Sequence, residues 1–227
     1  MSCITPRERL LACLRRDVPD SVPVCPDISN MVPCRLTGKP FWDIYAFQDP
    51  PLWKAHIHAL NTFDLDGGFE IYDFGPVDLF DENPQIIWEQ RVVHRYPDGR
   101  FVTRHFNTHT GMWASQTMVY TADNPPAYGV KPATIGLPDV PTEWEPLTGV
   151  HQGPQGMELW LEIRRELGDR GILGMPSGMS TGMIGGPEDV YAFYDNPEPF
   201  FERARNIIAA VEVRMEKIAA LDVSPDF

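Results

Sequence analysis

The chain has 227 residues, enough for one domain with a sizeable core or two small ones, and its 43% hydrophobic and 22% charged residues are ordinary for a globular protein. A net charge of −13 with no Lys/Arg run argues against a nucleic-acid partner, because a phosphate-binding surface needs clustered cations. No apolar stretch approaches the ~20 residues of a membrane span. The N-terminal "MSCITPRERLL" has no apolar signal core, so the expected compartment is the cytoplasm. Cys3, Cys13, Cys25 and Cys34 form no CxxC pair and are expected to be reduced thiols.

In chain order, Thr5-Pro6-Arg7-Glu8 predicts a capped helix start, with Leu10, Leu11 and Leu14 on one apolar face. "VPV" at 22–24 predicts a short buried strand, and a helix is expected over Leu52–Phe63. "GGFEIYDFG" (67–75) is the next strand. The period then changes. Residues 85–96, 99–106 and 111–120 alternate by two, with "YPDGR" as a turn between the first pair, which predicts an antiparallel excursion at about 85–120. A Pro-rich link (124–146) follows. Residues 156–171 predict a helix with apolar positions at 159, 160, 163 and 167, stopped by Gly168. "GILGMPSGM" (171–179) predicts a third buried strand running into a loop of small residues. Pro187 opens another helix, and Asn196-Pro197-Glu198 starts a last one. Its expected apolar face runs through Phe200, Ala204, Ile207, Ile208, Val211, Met215 and Ile218. "DVSPDF" at the end reads as the start of a further strand. Setting the antiparallel excursion aside, helices and strands alternate, which predicts α/β units and a parallel sheet, either doubly wound or a barrel.

Four stretches in this order resemble the uroporphyrinogen decarboxylase superfamily: "TPRERLLACLRRDVPDSVPV", "LDGGFEIYDFG", "GILGMPSGMSTGMIGG" and "EDVYAFYDNPEPFFERARNII". The superfamily holds the decarboxylases of haem synthesis and the methyltransferases that work with corrinoid proteins. The resemblance implies one domain over 1–227 with a TIM (β/α)₈ barrel fold. That barrel is expected to be incomplete here, with its first three to four parallel strands and the antiparallel excursion. Where the decarboxylases carry Arg-Gln-Ala-Gly-Arg to grip substrate carboxylates, this chain has Pro26-Asp27-Ile28-Ser29-Asn30-Met31-Val32, without either arginine. Asp73 in "IYDFG" matches the decarboxylase aspartate. Their tyrosine after the third strand falls near Gly182 and is absent. The resemblance therefore implies a corrinoid-linked methyltransferase, moving a methyl group between a methylated corrinoid protein and a thiol or methyl donor. The alternatives are uroporphyrinogen decarboxylase itself, which needs no cofactor, and a non-catalytic truncated barrel that binds a partner. Zinc is expected only from His and Cys ligands in a C-terminal half beyond Phe227, and none within this chain.

The candidate catalytic residues are Asp73 and Asp27. Asp73 is a hydrogen-bond acceptor or general base at a strand end, or else a cap for the next turn. Asp27 orients a substrate or a metal-bound water, or else closes an Asx-turn after Pro26. Candidate substrate-binding residues are Asn30 and, in the Gly/Met-rich loop, Ser180, Thr181 and Gly182. Cys25 reads as a small core residue. His56 and His58 are two apart on a helix and point to different sides, so they do not share a metal. His105 and His109 read as hairpin-surface residues. The expected ligand is a small molecule, with a corrinoid protein as a further partner. An open sheet edge would favour self-association.

Overall fold

A computed structural model describes residues 4–70, 80, 87–175, 186–223 and 225–226. It divides into two compact units, residues 1–67 with 73–171, and residues 68–72 with 172–227.

In the first unit, α1 spans Pro6–Leu14. The expected capping box forms. Glu8 N donates to Thr5 Oγ1 at 3.1 Å, and Thr5 N donates to the Glu8 carboxylate at 2.8 Å. Arg9, one residue on, anchors the helix. Its Nε donates to Asp20 Oδ1 at 2.8 Å, and its Nη1 pairs with the buried Asp66. Asp66 also accepts from Val24 N (2.7 Å), and its own N–H donates to Val24 O (3.0 Å). The buried strand expected at 22–24 is not formed. The backbone there carries no sheet ladder, and Val22 and Val24 are 84% and 56% exposed. The polar groups of Val24 go to Asp66 instead, through one side-chain and one backbone hydrogen bond. Cys25, expected in the core, is exposed for the same reason.

Three helices follow: α2 (Met31–Leu36), α3 (Phe41–Tyr45) and α4 (Leu52–Thr62). The first two are too short to show a period in sequence. They are held by burial of Cys34, Phe41 and Ile44, with Met31, Tyr45 and Leu52 packed around them. On α4, Ala55, Ile57, Ala59 and Leu60 are buried.

After β1 (Gly67–Glu70) come β2 (Trp88–Arg95), β3 (Phe101–Asn107), β4 (Met112–Tyr120), β5 (Ala127–Val130) and β6 (Glu145–Pro146). The last five make one antiparallel sheet in the order β5-β4-β3-β2-β6. The turn at Tyr96–Arg100 forms where the sequence places it, with Tyr96 N donating to Arg100 O at 2.8 Å and Gly99 at φ +90°. One sheet face packs Val92, Phe101 and Tyr120 against Ala46, Trp42 and Phe47. The half-buried amide of Gln90 donates to Thr103 Oγ1 and Tyr120 OH, both at 2.7 Å.

The sheet is larger than the expected three-stranded excursion because the Pro-rich link joins it at both ends. At the first end, Thr117 Oγ1 donates to Val130 O at 2.8 Å. At the second, the Arg91 guanidinium lies 3.8 Å from the ring centres of both Phe106 and Trp144, beside the short strand β6. Stacking of this kind contributes about 0.5–2 kcal/mol per pair.

Helix α5 (Gly156–Leu167) buries Leu159, Trp160, Ile163 and Leu167, the four positions its periodicity selects, and Gly168 ends it at φ +53°. Lys54 Nζ of α4 reaches Glu162 (3.2 Å) and Glu166 (3.4 Å) of α5. At the end of this unit the Gly171 backbone lies against that of Gly67. A Cβ on Gly171 would stand 2.6 Å from the Gly67 carbonyl carbon.

The second unit contains β7 (Gly171–Gly174), which pairs with β1 in a two-stranded parallel sheet. Helices α6 (Pro187–Asp195) and α7 (Glu198–Ala219) start at the expected prolines. The Phe193 ring meets Phe200 and Phe201 edge-on at 5.5 and 5.8 Å. Of the apolar face expected on α7, Phe200 and Ile218 are buried, whereas Ile208 and Met215 are 53% and 47% exposed. The strand expected after Leu221 is not formed among the described residues. Asp226 nevertheless exchanges two hydrogen bonds with Leu173 of β7. Asp226 N donates to Leu173 O (2.8 Å), and Leu173 N donates to Asp226 Oδ2 (2.9 Å).

The fold is thus mixed α/β, with one antiparallel and one parallel sheet. The described strands close no barrel. No described helix is long and apolar enough to cross a membrane.

Candidate functional site

Residues 26–30 turn the extended stretch into α2. Asp27 Oδ1 accepts from Ser29 N at 2.7 Å, an Asx-turn, and Ser29 takes a left-handed φ of +52°. The turn delivers Asn30 to the start of α2. There Asn30 Oδ1 lies 2.8 Å from His56 Nε2 of α4. With the Asn30 oxygen as acceptor, that ring nitrogen carries the proton. Cys34, one helical turn after Asn30, faces the same side and is fully buried. The Tyr45 hydroxyl, at the end of α3, is buried against the Cys34 thiol and the Asn30 amide, yet makes no hydrogen bond of good geometry with either.

All the titratable groups of this cluster are held neutral. Burial lowers the pKa of His56, opposed by the charge of Asp27. Burial pushes the Cys34 thiol up to about 11, with the neighbouring Tyr45 opposing. Burial also raises the Tyr45 phenol, and the neighbouring Cys34 adds to it. Such a cluster offers neutral hydrogen-bond donors and acceptors, and an imidazole that stays unprotonated near neutral pH. It carries no guanidinium to clamp a carboxylate. Arg35 is exposed and turns away, donating to the Asp123 carbonyl at 3.5 Å.

Of the site residues read from sequence, Asn30 is in this cluster. Asp27 is exposed, closes the Asx-turn and reaches His56 only through its charge. Asp73, Ser180, Thr181 and Gly182 lie outside the described residues. His56 and His58 diverge as expected, His56 half-buried and His58 exposed. His105 is half-buried, and burial lowers its pKa. Sequence reasoning missed His56, Cys34 and Tyr45 as partners of Asn30. The spacing of Asn30 and Cys34, four apart, was the one legible signal. Among the described residues no three His, Cys, Asp or Glu gather as a metal-holding group.

No family model, curated protein or solved structure matches the chain.

Proposed function

We propose that the chain is a sector of a uroporphyrinogen-decarboxylase-type (β/α)₈ barrel, and that it serves methyl transfer involving a corrinoid protein rather than decarboxylation of a tetrapyrrole. The fold part is supported by the order of neighbours. The stretch at 22–24 is bonded to Asp66 at the entry to β1, β1 pairs with β7, and Asp226 is bonded to Leu173 of β7. Setting the antiparallel sheet aside, each of these contacts joins one extended stretch to the next one along the chain. A singly wound barrel has that order, whereas doubly wound sheets reverse direction at an internal strand. The helices α4 and α5, joined by Lys54, are the outer connections between successive elements.

The observation that carries the chemistry is the neutrality of the Asn30–His56–Cys34–Tyr45 cluster, next to a turn that holds Asp27 where the decarboxylases carry arginine. A polycarboxylate would meet Asp27 there and no cation, which is unfavourable for a multiply charged ligand. A thiol or a methyl ether or amine presents no such conflict. Through its other ring nitrogen, His56, oriented by Asn30, would accept the proton of a thiol, and Tyr45 would donate a hydrogen bond to a thiol, ether or amine. Zinc, where present, would supply thiolate activation, and this chain's described residues contribute only binding and proton handling.

The test is loss of methylcobalamin absorbance on incubation with the full chain and mercaptoethanol, compared with Asn30→Ala and His56→Gln. Protein-dependent demethylation that falls at least about ten-fold in both variants is the expected result. Turnover of uroporphyrinogen, with no demethylation, would refute the proposal in favour of the decarboxylase reading.

A further inference from the structure

Away from this cluster, residues of the antiparallel sheet and the Pro-rich link line a half-open cavity of about 200 Å³. Its floor includes Arg104 of β3, whose residue surface is 94% buried. A cation in that position normally has a carboxylate against it, because desolvating an unpaired charge costs several kcal/mol. Arg104 has none within ion-pairing distance among the described residues. Its Nε donates to the Ala114 carbonyl and its Nη1 to the Asp139 carbonyl at 2.6 Å. Its Nη2 has no protein partner among the described residues. Asp139 acts on it only at longer range, partly offsetting the lowering of its pKa by burial. The cross-strand neighbour Arg91 is paired with Glu89 at 2.7 Å.

The rest of the lining is mixed. His94 and Thr142 offer polar atoms, Leu137 and Pro138 make an apolar wall, and the exposed Glu143 stands at the edge. The geometry points to a binding site for a short aliphatic monocarboxylate, with its carboxylate on Arg104 Nη2 and its alkyl chain against Leu137 and Pro138. One unpaired guanidinium balances a single negative charge. Glu143 disfavours a second. The volume equals about six or seven waters, which suits a ligand of four to seven heavy atoms. A neutral ligand of the same shape would leave the Arg104 charge uncompensated.

The test is calorimetric titration of the full chain with sodium butyrate, with butyramide as the neutral isostere and with inorganic phosphate. Butyrate is expected to bind with a Kd of about 1 mM or tighter. Butyramide and phosphate should each bind at least about ten-fold more weakly. Arg104→Gln should weaken butyrate by at least about ten-fold, provided far-UV circular dichroism shows it folded. Glu143→Gln changes only an exposed side chain and should tighten butyrate by about two- to five-fold. Absence of butyrate heat at about 10 mM ligand, equal binding of butyramide, or tighter binding of phosphate would each overturn the assignment. An unchanged Kd in Glu143→Gln would do so too, whether or not Arg104→Gln folds.

Discussion

Replacing Gly171 by alanine tests how closely β7 approaches β1 at Gly67. Gly171 has an extended backbone that any residue can adopt, so no conformational strain is involved. The obstacle is space. The new Cβ would stand 2.6 Å from the Gly67 carbonyl carbon, 3.0 Å from its Cα and closer still to its oxygen. Ordinary carbon contacts need about 3.5 Å, so the two backbones must part by roughly 1 Å. Backbone held in a ladder cannot swing aside as a side chain can. Overpacking costs about 1–3 kcal/mol, and a stretched ladder hydrogen bond adds about 1 kcal/mol, which puts Gly171→Ala near 3 kcal/mol. For a chain of this length each kcal/mol lowers Tm by about 2–4 °C, so the expected fall is about 6–12 °C. Thermal melts followed by far-UV circular dichroism measure it. Gly153→Ala is the control, because nothing lies within 4 Å of its added methyl, and it should stay within about 0.5 kcal/mol of the wild type. A methyl on Gly67 meets first the buried Leu60 side chain, which can shift where a backbone cannot, so Gly67→Ala should fall between the two. A Gly171→Ala protein as stable as Gly153→Ala would refute the close approach.

Acidification should expose the buried histidines. Burial depresses His56 and His105, so their contribution is full above about pH 6.5 and is lost as pH falls below it, when the unfolded chain takes up protons more readily. Urea titrations at pH 7.5 and 5.5 should show that loss, and His56→Gln with His105→Gln should flatten it. Asp66→Ala would leave the Val24 amide without its acceptor, a loss of about 1–3 kcal/mol in the same assay, whereas an unchanged midpoint would mean that the 22–24 stretch is not held by Asp66. The Arg9 guanidinium holds the Asp20 carboxyl down at about 2, so that pair's contribution persists above pH 3.8 and disappears only as pH falls toward 2. Thr5→Ala removes the capping oxygen of α1 and should cost about 1 kcal/mol.

The parts of the fold that sequence makes visible are those whose signal is local. The capping box at Thr5 and Glu8, the hairpin at Tyr96–Arg100, and the four apolar positions of α5 each need only a few neighbouring residues to specify them. Helices α2 and α3 are five or six residues long and show no period, because packing of Cys34, Phe41 and Ile44 defines them. "VPV" has strand composition, but its hydrogen bonds go to Asp66, forty-two residues on, which no local pattern reveals. The edge strands β5 and β6 hide in a Pro-rich link for the same reason: Thr117 and Arg91, which hold them, lie on other strands. At the candidate site, Asn30 is legible as a polar residue after an extended run. His56 and Tyr45 become its neighbours only through the packing of three helices.

Tyr45 belongs to two cores. Its ring packs on the Cys34–Phe41–Ile44 cluster and also on the Ala46–Val92–Phe101–Tyr120 cluster beneath the antiparallel sheet. Substitutions on opposite sides of that ring will therefore not add. Cys34→Ser and Phe101→Leu share no direct contact through hydrogen bonds, yet each frees the same aromatic plate to shift. A double-mutant cycle across them should return an interaction of about 0.5 kcal/mol or more, where independent sites would return none. The tyrosine that lends the cluster its phenol thus also acts as a mechanical link, by which the packing of the sheet can tilt the hydroxyl relative to Asn30 and Cys34.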